Sequence, residues 1–207
     1  MKSIKKDAIR KVLITRTDRI GDVVLSTPAF AAVKKAFPHA EIIVMVLPST
    51  RDIVRGNPSV DRIIAYDKRG KQRSFWAAVR FAWSLRKEKI GLALHLHPTN
   101  RMHILSFIAG IPMRVGYKKK MSFLLTHAIP EHKSEGEKHE AEYNFDILRV
   151  CGIEQPATIT LFLNVGDGDR EDVRSLLHQE GVPSSLPYMI IAPHASCRSK
   201  WWSHHNF

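Results

Sequence analysis

An aspartate preceded by a glycine follows the first apolar run of the chain. The stretch TRTDRIGDVV (15–24) places Asp22 soon after KVLITR (11–16), and Arg16 and Arg19 precede it. A carboxylate held beside a cleft by a tight glycine turn can act as a general base, and the arginines could orient an anionic substrate. An aspartate here can equally be a helix cap or a first-turn acid, because it accepts backbone N–H bonds and complements the helix dipole. Both interpretations of Asp22 stay open at this point.

This loop does not carry the glycines that nucleotide-binding loops need. A dinucleotide fingerprint has the form G-x-G-x-x-G, whereas TRTDRIGD contains Gly21 alone, and the sequence has no G-x-x-x-x-G-K-[ST] pattern. Asp18 and Asp22 would also repel a pyrophosphate. The sequence therefore disfavours a nucleotide-binding dehydrogenase and a P-loop NTPase.

A second candidate site lies in APHASCRSKWW (192–202). Small residues, among them Ser196 and Ser199, allow the backbone of this loop to approach a ligand closely. If a helix starts here, its first N–H groups and the ammonium group of Lys200 would form a phosphate site. An ordinary loop with a solvated lysine would have the same composition, so the function of this stretch also stays open.

The elements that would position these loops follow from the hydrophobic pattern. Short β-branched runs predict strands, and the longer periodic segments between them predict helices. The strands are apolar on both faces, as in a parallel sheet that helices cover on both sides. We therefore predict an α/β fold with a Rossmann-like, doubly wound parallel sheet, in which ligands bind at the carboxyl ends of the strands. The predicted strands are 11–16, 41–48, 61–67 and 90–97, with short ones at RVGY and THAIP, and the predicted helices are 22–37, 74–89, 101–110 and 136–152.

The alternation of strands and helices restarts near residue 157. ATITLFLN predicts a strand or an extended linker, 169–181 a helix and 187–196 a strand. The 207 residues then end where the pattern predicts a strand–helix junction, and a complete second domain would need about another hundred residues. We expect one complete N-terminal domain over 1–160, followed by a linker and the start of a second domain over 161–207.

Net charge and composition narrow the class of partner. The formal net charge is +12, which favours anionic partners such as nucleic acid, an acidic membrane surface or a phosphorylated small molecule, although a solvated basic surface has the same charge. Cys151 and Cys197 are the only cysteines, so neither a disulfide framework nor a thiolate zinc site is indicated. No stretch is apolar enough for a signal peptide or a membrane span, which predicts a soluble, cytoplasmic protein.

Two basic loops are further candidates for binding an anionic ligand. In GYKKKMSFLL (116–125), Lys118, Lys119 and Lys120 precede apolar residues, which suits an anionic lipid surface or an acidic lipid-linked acceptor. DKRGKQR (67–73) is the second such loop. A solvated surface loop would have the same residues in both cases.

The candidate metal ligands do not form a recognisable site. GDGD (166–169) contains the D-x-D of metal-dependent glycosyltransferases, but its place before a helix predicts a turn and a cap. His95 and His97 lie on one face of a strand without further ligands, and HEAEY (139–143) lacks the second histidine of the zinc-protease motif. We expect no metal and no cofactor.

Three stretches in combination resemble a known family. RTDRIGDVVLSTPAFAAVKKAFP (16–38), KHEAEYNFDILRVCGI (138–153) and PHASCRSKWW (193–202) are similar, in this order, to motifs of the ADP-heptose:lipopolysaccharide heptosyltransferase family, glycosyltransferase family nine. The resemblance spans nearly the whole chain. It implies a GT-B architecture, in which two Rossmann-like domains face a cleft, with the acceptor on the N-terminal domain and the nucleotide-sugar mainly on the C-terminal one.

The resemblance also implies a reaction and roles for residues. The reaction is inverting, metal-independent transfer of a heptose from ADP-heptose to the lipopolysaccharide inner core. Asp22 matches the general base of the family, and Ser196 and Lys200, with Ser199 between them, match its diphosphate-binding element. An anionic, lipid-linked acceptor would be bound by Arg16, Arg19, Lys118, Lys119 and Lys120.

This interpretation puts the protein in the cytoplasm, peripherally at the inner face of the inner membrane, without a specific nucleic-acid partner. The sequence departs from the family in two places. Ser203 stands where the family has a proline after the tryptophan, and the chain ends at Phe207, so most of the donor domain is expected to be missing.

Two other functions are compatible with the sequence. One is a non-catalytic remnant of a truncated gene. The other is a basic nucleic-acid-binding module, which would present a Lys/Arg stripe with stacking aromatic side chains. Trp76 and Trp83 lie seven residues apart on one face of a predicted helix, as core residues would, and this argues against the nucleic-acid module.

Overall fold

The computed structural model describes residues 6–183, 187–191, 203 and 205. The chain divides into two compact units, 1–164 and 165–207. Within the described residues, no helix combines the length and apolar character that crossing a bilayer requires.

Six parallel strands form one sheet in the first unit. Its order, β3-β2-β1-β4-β5-β6, is that of a doubly wound Rossmann-like sheet, so the predicted fold class is confirmed. The order reverses between the two central strands, β1 and β4, whose pairing sets Val12 opposite Leu92. The strands are β1 Lys11–Arg16, β2 Glu41–Val46, β3 Arg62–Ala65, β4 Leu92–His95, β5 Met113–Tyr117 and β6 His127–Ile129.

Helices cover both faces of this sheet, as the two-sided apolar strands predict. Successive β1 residues point to opposite sides, so Val12 and Ile14 enter one core and Leu13 enters the other. The second and sixth helices pack in the first core, and the fourth and fifth in the second. The helices of this unit are α1 Ile20–Val24, α2 Thr27–Ala36, α3 Arg51–Val54, α4 Phe75–Arg86, α5 Asn100–Ile108 and α6 Glu140–Arg149.

The single helix predicted over 22–37 is two helices, α1 and α2. Pro28 has no N–H group with which to bond the Val24 carbonyl one turn earlier, so the helical ladder is interrupted. Thr27 Oγ1 donates to this Val24 carbonyl instead, at 2.8 Å. Ser26 Oγ donates to the Asp22 carbonyl at 2.7 Å. The break thus leaves Asp22 on a short helix of its own.

The prediction that Trp76 and Trp83 are core residues is wrong. Their side chains are 78% and 60% exposed, and α4 buries Ala78, Ala82 and Leu85 instead. A spacing of seven puts two residues on one face of a helix but does not tell which face meets the sheet. Trp76 and Trp83 therefore give no reason to exclude a nucleic-acid-binding module.

The second unit is described by one helix and short segments. Helix α7, Asp167–Gln179, begins at the GDGD stretch, where the Asp169 carboxylate accepts a hydrogen bond from the Gly166 N–H at 2.9 Å, as the predicted cap requires. The strand predicted over 187–196 is not formed in its described part, 187–191, where the apolar side chains are exposed. ATITLFLN likewise forms no strand.

Candidate functional site

A cavity of about 540 Å³ opens at the carboxyl edge of the sheet. Residues at or just beyond the ends of all six strands line it, because the carboxyl ends of parallel strands meet at one edge. Six of the lining residues are lysines or arginines and four are aspartates or glutamates, so the cavity has an excess of positive charge. The charged residues are Arg16, Asp18, Arg19, Asp22, Lys68, Arg69, Lys119, Glu131, Lys133 and Glu140.

Arg16, the last residue of β1, is the buried centre of this site. Its side chain is only 1% exposed, and a buried guanidinium requires partners for its charge and its N–H groups. Nη1 donates to the Leu96 carbonyl at 3.0 Å and to Asn144 Oδ1 at 3.3 Å. Nη2 donates to Glu140 Oε1 at 2.8 Å. With its donors engaged in this way, Arg16 orders the surrounding groups.

Asp22 contacts Arg16 and remains open to the cavity. Its Oδ1 lies 3.3 Å from Arg16 Nη2, and its side chain is 31% exposed. No partner of Asp22 Oδ2 is found among the described residues, so this oxygen can meet a ligand. The helix cap is Arg19 rather than Asp22, which is an acid of the first turn of α1. The exposure of Asp22 meets one requirement of the predicted general base, which is access to a substrate hydroxyl group.

The tight glycine turn predicted beside Asp22 is wrong. Gly21 is the second residue of α1, and it is absent from the described residues with positive φ. A Cβ atom at Gly21 would meet nothing within 4 Å. Arg16 and the helix break, rather than a glycine turn, position the Asp22 carboxylate.

Asp18 is held more tightly than Asp22. Its side chain is 9% exposed, with Oδ1 3.0 Å from Arg16 Nε and Oδ2 3.1 Å from His97 Nδ1. The contact with Arg16 is an ion pair whose N–H is not aligned for a hydrogen bond. Burial raises the pKa of Asp18, but the hydrogen bond with His97 and the charge of Arg16 outweigh it, so the pKa lies below its ordinary value. Asp18 is therefore a fixed charge that anchors Arg16.

The start of α6 supplies the other partners of Arg16. His139 caps this helix through Nδ1, which accepts from the Ala141 N–H, and Glu142 bonds back to the His139 N–H at 2.7 Å. The cap directs Glu140 to Arg16 and to Lys133 Nζ, 2.5 Å away. Burial raises the pKa of Glu140, but Lys133 and Arg16 together keep it below its ordinary value.

Asn144, one turn further along α6, ties the site to the helix break. Its Oδ1 accepts from Arg16, while Nδ2 donates to the Leu25 carbonyl at 3.1 Å and to Ser26 Oγ at 3.3 Å. The stretch KHEAEYNFDILRVCGI thus holds Arg16 and the α1–α2 junction in one buried network. This network fixes where Asp22 lies.

The remaining predicted acceptor residues divide into two groups. Arg19 and Lys119 line the cavity and are exposed, whereas Lys118 and Lys120 are exposed but do not line it. The other basic loop contributes Lys68, whose Nζ donates to the Thr17 carbonyl at 2.7 Å and whose pKa burial lowers.

The predicted donor residues Ser196, Ser199 and Lys200 lie outside the described residues, and so does Cys197. The two histidines of HLH do not act together. His95 is fully buried between Thr15 and Ser106, whereas His97 faces the cavity. In the part of the chain that the structure describes, no group of three or more His, Cys, Asp or Glu residues could hold a metal ion.

Four charged or titratable residues of the cavity are not predicted as site residues by the sequence patterns: His97, Glu131, Lys133 and Glu140. In the sequence, Glu140 belongs to an incomplete zinc-protease motif, and His97 is a candidate metal ligand without further ligands. The signal that could have found Glu140 is its place beside a helix-capping histidine in a motif shared with a family. No local signal links it to Arg16, 124 residues away.

Two curated proteins are relatives of this chain, although no protein-family model matches it. A Haemophilus influenzae protein named provisionally as a glycosyltransferase is 26% identical over 143 residues, which are 69% of this chain and 40% of the relative. Lipopolysaccharide heptosyltransferase 3 of Escherichia coli is 24% identical over 202 residues, 90% of this chain and 55% of the relative. The chain spans about half the length of the curated relatives it matches.

Solved structures agree with the fold. A glycosyl transferase family 9 protein from Veillonella parvula matches with a TM-score of 0.82 at 20% identity, covering 94% of this chain and 56% of that one. The ADP-heptose lipopolysaccharide heptosyltransferase II of Escherichia coli matches with a TM-score of 0.65 at 21% identity, covering 86% and 53%. The resemblance inferred from the three motifs is confirmed, since the curated relatives are named as a glycosyltransferase and as a lipopolysaccharide heptosyltransferase.

Proposed function

We propose that this chain is the acceptor-binding part of an inverting, metal-independent glycosyltransferase that moves a heptose from ADP-heptose to the lipopolysaccharide inner core. One observation carries the proposal. Asp22, in the motif shared with the heptosyltransferase family, is fixed through one oxygen by the buried Arg16 and faces the cavity at the carboxyl edge of the sheet. The names of the relatives supply the donor and the acceptor class.

In this mechanism Asp22 accepts the proton of an acceptor hydroxyl group. The hydroxyl oxygen attacks the anomeric carbon of the heptose, and the bond from that carbon to the diphosphate oxygen breaks, which inverts the anomeric centre. Arg16 acts as a positioning residue, because its side chain is buried and its Nη1 and Nη2 groups donate to the Leu96 carbonyl, Asn144 and Glu140. The leaving diphosphate would be stabilised by Ser196, Ser199 and Lys200, as electrostatic stabilisation of developing charge requires.

The acceptor is an anionic, lipid-linked saccharide, and the protein acts peripherally at the inner face of the inner membrane. The excess of basic over acidic groups in the cavity supports an anionic acceptor, because a net positive charge concentrates anionic ligands. Arg19, Lys68, Arg69 and Lys119 are the groups we assign to it. We assign Arg16 no contact with the acceptor, because its role is to position the neighbouring carboxylates. Lys118 and Lys120 lie outside the cavity.

The test joins this chain to the C-terminal half of the Escherichia coli relative and measures ADP release from ADP-heptose with lipopolysaccharide core as acceptor. Asp22→Asn should lower the rate by about 10²–10⁴, the usual cost of losing a positioned base, with donor affinity nearly unchanged. Asp52→Asn, which changes an exposed aspartate on α3, is the matched control and should leave the rate unchanged. Near-normal turnover of Asp22→Asn would make Asp22 a first-turn acid only, and a parent chimera without transfer would favour the non-catalytic remnant.

A further inference from the structure

Large aromatic side chains stand in solvent on the outer side of α4. Trp76 and Trp83 are both largely exposed, and Phe75 beside them is exposed as well. Arg80 and Lys87 are also exposed, and the spacing of these residues, four, three and four, makes one stripe of Trp, Arg, Trp and Lys along the helix. Solvent-exposed apolar patches with basic residues among them mark interaction surfaces.

The exposed apolar surface continues from α4 over α5. Both helices cover the same side of the sheet, so their outward side chains point away from the same face. Between them lies a groove of about 390 Å³, whose lining includes Phe75, Val79, Ile104 and Ile108. The walls of this groove are mainly hydrocarbon.

Beyond α5 the surface reaches the turn Ser122–Leu124, which packs on that helix. Phe123 of this turn is 74% exposed and Phe107 of α5 is exposed. We call the surface formed by these side chains the aromatic face; its members are Phe75, Trp76, Trp83, Phe107 and Phe123.

The positive charge of the molecule is concentrated in the same part of the chain. Residues 68–130, which include α4, α5 and the turn, contain thirteen lysines and arginines and a single acid, Glu88. The rest of the chain contains nineteen basic and nineteen acidic residues, so the whole net charge of +12 belongs to 68–130. Neither α4 nor α5 contains an acidic residue. The aromatic face therefore lies in a strongly cationic region.

We propose that the aromatic face docks on an anionic lipid membrane. Tryptophan concentrates at the interface between water and lipid, because its ring is apolar while its N–H stays hydrated. Neighbouring lysines and arginines are attracted to anionic headgroups. The hydrocarbon groove between α4 and α5 offers room for an acyl chain. A single-stranded nucleic acid would also use aromatic and basic side chains, but it has no use for a groove of aliphatic walls.

The aromatic face and the cavity include residues that are close together along the chain. Lys119 lines the cavity, and Phe123, four residues later, belongs to the aromatic face. Resting on the proposed function, a lipid-linked acceptor would reach Asp22 without leaving the bilayer surface. The docking itself does not depend on that function, because it needs neither donor nor acceptor.

Vesicle sedimentation with the 207-residue protein tests the proposal. The probe is a set of vesicles with 30% phosphatidylglycerol in phosphatidylcholine, compared with pure phosphatidylcholine, and no sugar substrate is present. We expect binding to the anionic vesicles that weakens with salt. Trp76→Ser with Trp83→Ser should lower the partition coefficient at least about tenfold.

A second variant pair keeps the test independent of the tryptophans. Arg80→Gln with Lys87→Gln should lower anionic-vesicle binding by about tenfold or more, as headgroup attraction of each charge predicts. Arg10→Gln with Lys35→Gln removes the same charge from exposed positions outside 68–130 and should have a much smaller effect. Circular dichroism checks that each variant is folded.

Three results would overturn the proposal. The first is absence of binding to anionic vesicles, and the second is binding that neither variant pair weakens. The third is a tryptophan-dependent dimer or a tryptophan-dependent complex with single-stranded DNA in the absence of vesicle binding, which would assign the aromatic face to another partner. Since no transfer is measured, failure of the proposed glycosyltransferase function would leave these results unchanged.

Discussion

Replacing Arg16 by methionine should destabilise the protein strongly, and by an amount that depends on pH. The side chain is almost fully buried, so methionine can fill much of its volume but cannot form any of its polar contacts. The substitution leaves the Leu96 carbonyl and Asn144 Oδ1 without their donor and removes the shared cation of Asp18, Asp22 and Glu140. Breaking a buried ion pair from one side costs about 3–5 kcal/mol, which is a large share of a typical free energy of unfolding.

The pH dependence follows from the lowered pKa values of Asp18 and Glu140. A carboxyl whose folded-state pKa is depressed stabilises the wild-type protein above its unfolded value of about 4, and this contribution is lost as pH falls through the depressed value. In the variant the same carboxylates are buried without the positive charge of Arg16, so their protonation at low pH removes the cost of burying an unpaired negative charge. The difference in free energy of unfolding should therefore be largest near pH 7 and should narrow toward pH 4.

Urea unfolding followed by circular dichroism measures this difference at each pH. Arg62→Met is the matched control, because Arg62 forms its ion pairs with Glu41 and Glu88 near the protein surface and should cost about 1–2 kcal/mol, less than Arg16→Met. Arg16→Lys keeps a charge and should cost less than Arg16→Met, which keeps the comparison usable if methionine prevents folding. A cost below 1 kcal/mol for Arg16→Met, or a cost that is the same at pH 7 and pH 4, would refute the assignment of Arg16 as the organising cation.

Three further predictions concern other groups. Hydrogen bonds from Arg62, opposed by burial and assisted by Lys11, lower the pKa of Glu88 to about 2. Glu88→Gln should therefore reduce the free energy of unfolding at pH 7 by about 1–2 kcal/mol after allowance for solvent screening, and this difference should disappear as pH falls from 4.5 to about 2. Equal stability of the two proteins at pH 7 would contradict this prediction. Burial raises the pKa of Cys151 to about 11. Iodoacetamide at pH 8 should therefore modify this thiol about a hundredfold more slowly in the folded than in the unfolded chain, as measured by peptide mass spectrometry. Comparable rates would mean that the thiol is accessible. In the chimera assay, a chelator should leave transfer unchanged, whereas inhibition that magnesium or manganese reverses would return attention to the GDGD stretch.

Local patterns predict the strands well and the site only in part. Strand β1 begins and ends where KVLITR does, because a short β-branched run that is apolar on both faces is typical of a strand in a parallel sheet. The sequence pattern does not predict the break between α1 and α2, because proline is also favoured in the first turn of a helix and Pro28 can mark a new helix as well as an interruption. Asp22 is predicted as a candidate base from its neighbours in the sequence alone, and its role stays a prediction.

The partners of Arg16 illustrate what local patterns omit. Arginine is rarely buried, so nothing near residue 16 indicates that its side chain enters the interior. Glu140 and Asn144 join it only after the sheet and α6 have formed, across more than 120 residues. The error about Trp76 and Trp83 has a similar cause, since Ala78, Ala82 and Leu85 repeat at the same helical spacing and compete for the buried face.

The separation of charge along the chain has a consequence for how the molecule approaches a surface. A body whose net charge lies in one part, while the remainder is balanced, has a permanent dipole and is turned by an electric field before any contact forms. Near an anionic bilayer this torque acts within roughly one screening length, about 8 Å at physiological ionic strength. In most encounters residues 68–130 would then be the first part of the protein to contact the bilayer. Lowering the ionic strength should raise the fraction of collisions that lead to binding, as well as the affinity.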